Sequence, residues 1–405
     1  MGSPKLISRA SELAAVVGQC LDAPRVAVDV EGNGLHVFRA RLCALQLGWR
    51  QRGGDQVAII DTLELSTEPL AALLGKGGPV KVLHDLTFDA RMLGQQGIEL
   101  GNVRDTSVAA RFLGESSTGL AALAAARLGI TLNKFLQDHN WAERPFTGEQ
   151  LDYLAGDVSH LLALDDVLTC AAEEQKITAE IAVEWAYKLK GALAPPQDQR
   201  PTYLRIKGYG ELNDLERAVL RRLVLFRAQL AEREDVPEFR VAPSGLLLAL
   251  ARRKPRQQRA LRQCCGNRRK LPGEPEAWLT AVRRGIEDGA PPLEEQPSLA
   301  PTVFSRHEIA LRKQLAAVLS KWRRREAADR SVDLQVVLPG HCMGPVTGVL
   351  ATPVSDDGVS LRDRLGSVEG FGECRVERYE PVLAQLASDA LAAVEKPLRE
   401  LARPV

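Results

Sequence analysis

A chain of 405 residues can hold two or three domains, and 45% hydrophobic with 26% charged residues excludes a fibre or a disordered tail. No run approaches the ~18 consecutive apolar residues of a membrane helix, and MGSPKLISRASELAAVV lacks a charged segment followed by a long apolar one. A cytoplasmic protein with no membrane partner is therefore expected. The net charge of +1 is unevenly spread: residues 1–195 carry 18 Lys+Arg against 24 Asp+Glu (net −6), residues 196–290 carry 20 against 12 (net +8), and the remainder 15 against 16 (net −1). A positive module joined to an acidic one suits a polyanionic ligand, although a charge run is also what a solvated helix face looks like. Seven cysteines, an odd number with no Cys-x-x-Cys pair, argue against a zinc site and for reduced, mostly buried thiols.

In chain order, the amino half alternates helix-like and strand-like segments. SELAAVVGQCL, STEPLAALLG, FDARMLGQQG, DTSVAARFLG and GLAALAAARLG have helical apolar spacing, several opening on Ser, Thr or Asp and closing on Gly. RVAVDV, CALQLGWR, DQVAIID and VKVLHD read as strands. The first three follow one another across short polar turns, which predicts an antiparallel meander inside an α/β domain. The Pro-rich GALAPPQDQRP predicts a linker, beyond which strand signals nearly vanish. Two helical units follow, separated by DGAPPLEEQPSLAPT, and each has a Leu/Arg-rich first helix, so they read as a diverged repeat.

The chemistry starts in VAVDVEGNG. Strand residues two apart share a face, so Asp29 and Glu31 project side by side at the strand end. At about 5 Å and an effective dielectric near 20 their repulsion is roughly 3 kcal/mol, which is tolerable in a solvated turn or around a divalent cation. In VLHDLTFDARML, Asp89 opens a helix after a strand ending at His84. Phe88 and Met92 are assigned to the buried side, Asp85 competes with Asp89, and either acid could simply cap the helix. TGEQLDYLAGDVSHLLALDDVL reads as one long helix with a Thr147–Gln150 capping box and a buried face of Leu151, Leu154, Val158, Leu161 and Leu162. Tyr153 and Asp157, four apart, share a side of it. Small Ala155 and Gly156 leave room beside them for a substrate.

Asp-x-Glu at a strand end, His-x-x-x-x-Asp at a strand-to-helix junction and Tyr-x-x-x-Asp on a late helix resemble the three motifs of the DEDD exonuclease superfamily, tyrosine subclass. RDTSVAARFLG and GITLNKFLQDHNWAERPFTGEQLDYLAGDVSHLL extend the resemblance to the ribonuclease D family over residues 20–190. LRRLVLFRAQLAEREDVPEFRVAPSGLLLALARRKP resembles an HRDC module, and LSKWRRREAADRSVDLQVVLP does so more faintly. The resemblance implies a ribonuclease H-like mixed-sheet exonuclease domain (1–195), an HRDC domain (208–290) and a second, diverged HRDC-like domain (303–395). It also implies a metal-dependent 3′-to-5′ exoribonuclease that trims structured RNA such as tRNA precursors and releases nucleoside 5′-monophosphates. A DNA 3′ exonuclease and a non-catalytic nucleic-acid scaffold are the alternatives.

On this reading Asp29, Glu31, Asp89 and Asp157 hold two divalent cations, and all-oxygen ligation selects Mg²⁺ or Mn²⁺. Tyr153, a phenol protonated at neutral pH, orients the attacking water. Lys134 falls where the family has a Lys and is assigned a phosphate contact; Arg252, Arg253, Lys254 and Arg256 are assigned to RNA. His84 is read as structural, His160 as packed or supporting, Asp105 as a helix cap and Trp141 as packing, while His36 sits in a turn that departs from the family text. A monomer is expected.

Overall fold

The structure is a computed structural model that describes residues 4–133, 135–195, 200–266, 271–295, 304–352 and 358–401, with side chains to residue 395. Lys134 lies outside the described residues. Six strands form one sheet: β1 (Lys5–Ile7), β2 (Arg25–Gly32), β3 (Leu42–Gln51), β4 (Gly54–Asp61), β5 (Val80–Leu83) and β6 (Val103–Asp105), in the order β1-β4-β3-β2-β5-β6. β2, β3 and β4 form the antiparallel meander. β5 runs parallel to β2, β6 parallel to β5, and β1 parallel to β4, so the sheet is mixed. β1 and β6 are three residues each, too short to show a period; only pairing with a neighbour makes them strands.

Around the sheet lie α1 (Ala10–Leu21), α2 (Ala71–Leu74), α3 (Thr87–Gln95), α4 (Thr106–Phe112), α5 (Leu120–Leu123, continued by a π-helical turn), α6 (Gly148–Ser159), α7 (Leu161–Glu174) and α8 (Thr178–Leu193). Period two on β2 sends Val26, Val28 and Val30 into the core shared with α1 and α3, and Ala27 into the core shared with α6 and α7. Asp29 and Glu31 continue the Ala27 face. α6 crosses β3 closely at Gly48, where a Cβ would lie 3.0 Å from the Val158 carbonyl oxygen. A side chain there would lift α6 off the strands that carry the acids.

Three expectations are corrected. The long helix is two: Ser159 Oγ donates to the Ala155 carbonyl at 2.6 Å, and His160 leaves helical geometry (φ −114°, ψ −1°) between α6 and α7. Leu154, Val158, Leu161 and Leu162 are buried as expected, and Leu151 is half-buried. Phe88 is 50% exposed although Met92 is buried, because the buried side of α3 runs through Asp89, Ala90 and Met92 and leaves Phe88 at its edge, with only the tip of the ring near Gly32. The start of the proposed linker, Gly191–Leu193, is still helix, the last turn of α8. All seven cysteines are free; Cys20, Cys43 and Cys342 are buried and Cys170 is exposed.

The remaining chain makes two helical units. The first contains α9 (Asp214–Arg233), α10 (Glu238–Val241), α11 (Ser244–Arg253), α12 (Gln258–Cys264) and α13 (Pro275–Asp288). The second contains α14 (Arg306–Asp329), α15 (Leu334–Val337), α16 (Met343–Ala351), α17 (Leu361–Gly366) and α18 (Glu373–Leu401). Each runs long, short, medium, short, long around its own apolar core. The second unit docks on α8: buried Glu180 meets Arg378 at 3.1 Å, and His341 stacks on Tyr187 with ring centroids 3.7 Å apart.

Candidate active site

β2 and α6 bring Asp29, Glu31 and Asp157 together, with a carboxylate oxygen of each within 4.8 Å of the others. Asp89 is buried at the start of α3, and its Oδ1 accepts from the Val30 N–H at 3.1 Å, on the strand between Asp29 and Glu31. It caps nothing: α3 has no side-chain cap, and Asp85 turns away to Lys188 at 2.8 Å. The capping box of Thr147 and Gln150 sets the start of α6, and with it the phase that points Tyr153 and Asp157 at the strand acids.

Crowding shifts these groups. Burial, then Asp157 and Asp89, pushes the Glu31 carboxyl up to about 8. Burial raises Asp157 to about 7, and burial outweighs the hydrogen bonds that favour charge in raising Asp89 to about 7. Asp29 is raised well above the ordinary carboxylate range, by burial first and then by Asp89, Asp157 and Glu31. Tyr153 is half-buried against Trp141, ring centroids 5.5 Å apart, and burial followed by Asp157 raises its phenol too.

Other buried acids each have a protein cation. Asp61 meets Arg144 at 2.7 Å, Asp105 meets Lys188 at 2.6 Å, Asp165 meets Arg25 at 2.5 Å, and Glu180 meets Arg378. Among the described residues no Lys or Arg pairs with Asp29, Glu31, Asp89 or Asp157. Four half-buried to buried acids without a counter-charge are costly unless a cation enters, and an all-carboxylate donor set fits a hard divalent ion. Gln46 lies across from Asp29 on the same sheet face, is fully buried, and has neither amide atom bonded among the described residues. It adds a polar group beneath the acids.

The cluster opens onto two cavities that share Leu132, Asn133, Tyr153 and Asp157. One, of about 540 Å³, is also lined by His84, Arg111 and Lys188. The other, of about 430 Å³, is lined by Glu149, Asp152 and Gly156.

The sequence matches the family described as 3′-5′ exonuclease over residues 4–171 and the HRDC domain over residues 216–271. It is 28% identical over 335 residues to Ribonuclease D of Granulibacter bethesdensis, covering 76% of this chain and 82% of that protein. The chain carries a 3′-5′ exonuclease domain and an HRDC domain and is similar to ribonuclease D proteins. It is 31% identical to Ribonuclease D of Haemophilus influenzae over 240 residues, 57% of this chain and 58% of that one. The crystal structure of Escherichia coli RNase D shares the fold, with a TM-score of 0.64 at 20% identity over 96% of this chain and 99% of that chain. Its exonuclease domain and its ribonuclease D relatives make the chain a 3′-5′ exoribonuclease, and the chemistry of such exonucleases depends on a divalent metal.

Other residues singled out in the sequence fall as follows. His84 Nδ1 lies 2.9 Å from Thr106 Oγ1 while its ring lines the larger cavity. Burial lowers the His160 imidazole against a smaller opposing pull from Asp55 at the start of β4, at the far end of the meander from the acids. Trp141 is 1% exposed and packs on Phe146 and Tyr153. Arg252 pairs with Glu211 at 2.7 Å, and Lys254, which closes α11 in a left-handed conformation, meets Glu216 at 3.4 Å. Arg253 and Arg256 have no partner among the described residues.

Sequence reasoning missed the scope of Asp105. Besides capping α4 through the Ser107 and Val108 N–H groups, it accepts from the Asp85 and Leu86 N–H groups at 3.0 and 3.1 Å, which holds the turn leading into Asp89. The signal lay in Lys188, whose role only the α8 docking reveals. Lys188→Ala leaves Asp105 buried without its cation and is expected to cost about 3 kcal/mol; urea unfolding of the metal-free chain checks it.

Proposed function

We propose that this exoribonuclease acts in the cytoplasm on structured RNAs with a 3′ tail, such as tRNA precursors, and removes nucleoside 5′-monophosphates with two divalent cations, Mg²⁺ or Mn²⁺. The observation that carries the reading is the set Asp29, Glu31, Asp89 and Asp157, gathered at one end of β2 with no protein cation among the described residues to offset it. Cations bound there supply acidity to water and positive charge to the departing 3′ oxygen. Asp29, Glu31 and Asp157 hold them from the sheet and from α6, and Asp89 joins from α3.

Tyr153 keeps its proton, since its phenol is raised rather than lowered, so it donates a hydrogen bond that orients the attacking water and does not serve as a base. Its hydroxyl has no partner among the described residues. Tyr153→Phe is expected to reduce kcat about 10- to 100-fold with metal affinity within about twofold; steady-state kinetics beside a Mn²⁺ titration checks this. The RNA strand runs along the cavity lined by Arg111 and Lys188, because Glu149 and Asp152 make the other wall repulsive to phosphate, whereas here Asp85, Asp105 and Glu184 are matched by cations: Arg111 pairs with Glu184, and Lys188 with Asp85 and Asp105. Arg253 and Arg256 hold the RNA body, with affinity that falls as salt rises. The matching helix order of the second unit supports its reading as a diverged HRDC-like module.

The test is incubation of the full chain with matched 3′-tailed RNA and DNA in Mg²⁺, Mn²⁺ or chelator. A single-nucleotide ladder from RNA, abolished by chelator, is expected. A ladder from DNA alone would reassign the substrate, and retention without cleavage would make the chain a scaffold.

A further inference from the structure

We propose that the first helical unit is a positioning element for catalysis: it grips the loop between β2 and β3 and through that loop holds both the metal-binding strand end and one wall of the cleft. The proposal rests on the exonuclease reading above. The loop, residues 33–41, starts immediately after the bulge at Glu31 and Gly32. Its neck is closed by Asn33, fully buried, whose Oδ1 accepts from the Arg41 N–H at 2.8 Å.

At the tip, the Phe38 ring packs against the apolar core of the first helical unit. The Phe38 N–H donates to Asp235 Oδ1 at 3.1 Å, and Arg39 meets Glu232 at 2.6 Å. The Arg39 pair is exposed and contributes little, so the half-buried Phe38 ring carries the grip, with the exposed Asp235 bond fixing its position. Asp235 presents its carboxylate from a left-handed conformation (φ 45°) just past α9.

A second connection leaves from the middle of the loop. His36 Nδ1 lies 3.4 Å from Arg240 of the helical unit, and His36 Nε2 lies 3.0 Å from the Asp138 carbonyl. Asp138 follows Leu136 and Gln137, which line the two cavities at Tyr153 and Asp157. One module therefore restrains Glu31 through Phe38 and Asn33, and the 136–138 wall through His36. A nucleic-acid anchor needs neither connection, because it acts on RNA directly. Phe38, His36 and Asp235 are positioning residues.

The experiment compares wild type with Phe38→Ala, Asp235→Ala and Asp235→Asn as full-length chains. It measures kcat and KM on a dinucleotide with Mn²⁺, together with hydrogen exchange across the chain. A dinucleotide occupies only the two sides of the scissile bond, so an anchoring role cannot affect it. The expected result is a kcat loss of about 10-fold or more for the two Ala variants with KM within about twofold. Asp235→Asn, which keeps the acceptor oxygen, stays near wild type, and exchange quickens at residues 31–37 and 136–139 while α9 is unchanged. Unchanged kcat on the dinucleotide with a raised KM for long structured RNA would overturn the proposal and leave the unit an anchor. Activity lost alike in Asp235→Asn, with exchange quickened throughout α9–α13, would overturn it as well, by tracing the effect to unfolding of the unit. Should wild type cleave neither the dinucleotide nor RNA in either metal, the exonuclease reading fails instead, and the exchange pattern still decides whether the grip exists.

Discussion

Asp29→Asn or Asp157→Asn is expected to lower turnover on a 3′-tailed RNA by at least about 10²-fold, and to abolish the rise in melting temperature that Mn²⁺ produces in wild type. An amide keeps the shape of the side chain but contributes no negative charge to a site whose other members have no protein cation among the described residues. Asp29 and Asp157 come from different elements, β2 and α6, yet their oxygens sit within 4.8 Å of Glu31 and of each other, so neither can be spared as a redundant ligand. Turnover measurement with parallel thermal scans, with and without Mn²⁺, checks both halves. Near-wild-type turnover in either variant would remove that residue from the site.

The same substitutions are expected to make the metal-free protein more stable, by about 1 kcal/mol or more near pH 8 and by nearly nothing near pH 4. In the fold the Glu31 carboxyl is raised to about 8 and those of Asp89 and Asp157 to about 7, against about 4 in an unfolded chain. Between those limits the folded protein binds more protons than the unfolded one, so their contribution to stability is full below about pH 4 and is lost as pH rises through about 7 to 8. Removing one carboxylate relieves repulsion among the rest only where they are charged. The melting temperature of Asp29→Asn minus that of wild type, taken at each pH, cancels the titration of the histidines and the paired acids. A difference that grows between pH 5 and 8 and closes when Mn²⁺ is added to wild type is the expected curve. A flat difference would mean that the acids do not feel one another.

How much of this was legible beforehand depends on the range of the interaction concerned. The meander, the capping box at Thr147 and Gln150 and the shared side of Tyr153 and Asp157 follow from periods of two and 3.6 that any short window displays. Phe88 was misjudged because helical spacing says which residues share a side, not whether that side meets the core or solvent. The break at His160 depends on a serine hydroxyl turning back to its own helix, which apolar spacing cannot register. Asp105 read as a cap, and it is one, but it also holds the turn before Asp89 through the Asp85 and Leu86 N–H groups, and its burial there depends on Lys188, 83 residues away in sequence. The basic run at Arg252–Arg256 looked uniform, yet Glu211 and Glu216 claim two of its cations.

By itself the sequence determined the chemistry: which acids and which phenol could serve, that hard cations suit them, and which strands and helices carry them, because these are properties of residue type and local period. Tertiary structure decided which acids have no cation among the described residues, where the two cavities open, and that a helical module clasps the loop next to Glu31. Those outcomes depend on pairings between distant segments, where burial and counter-charge are set by neighbours that no window of the chain contains.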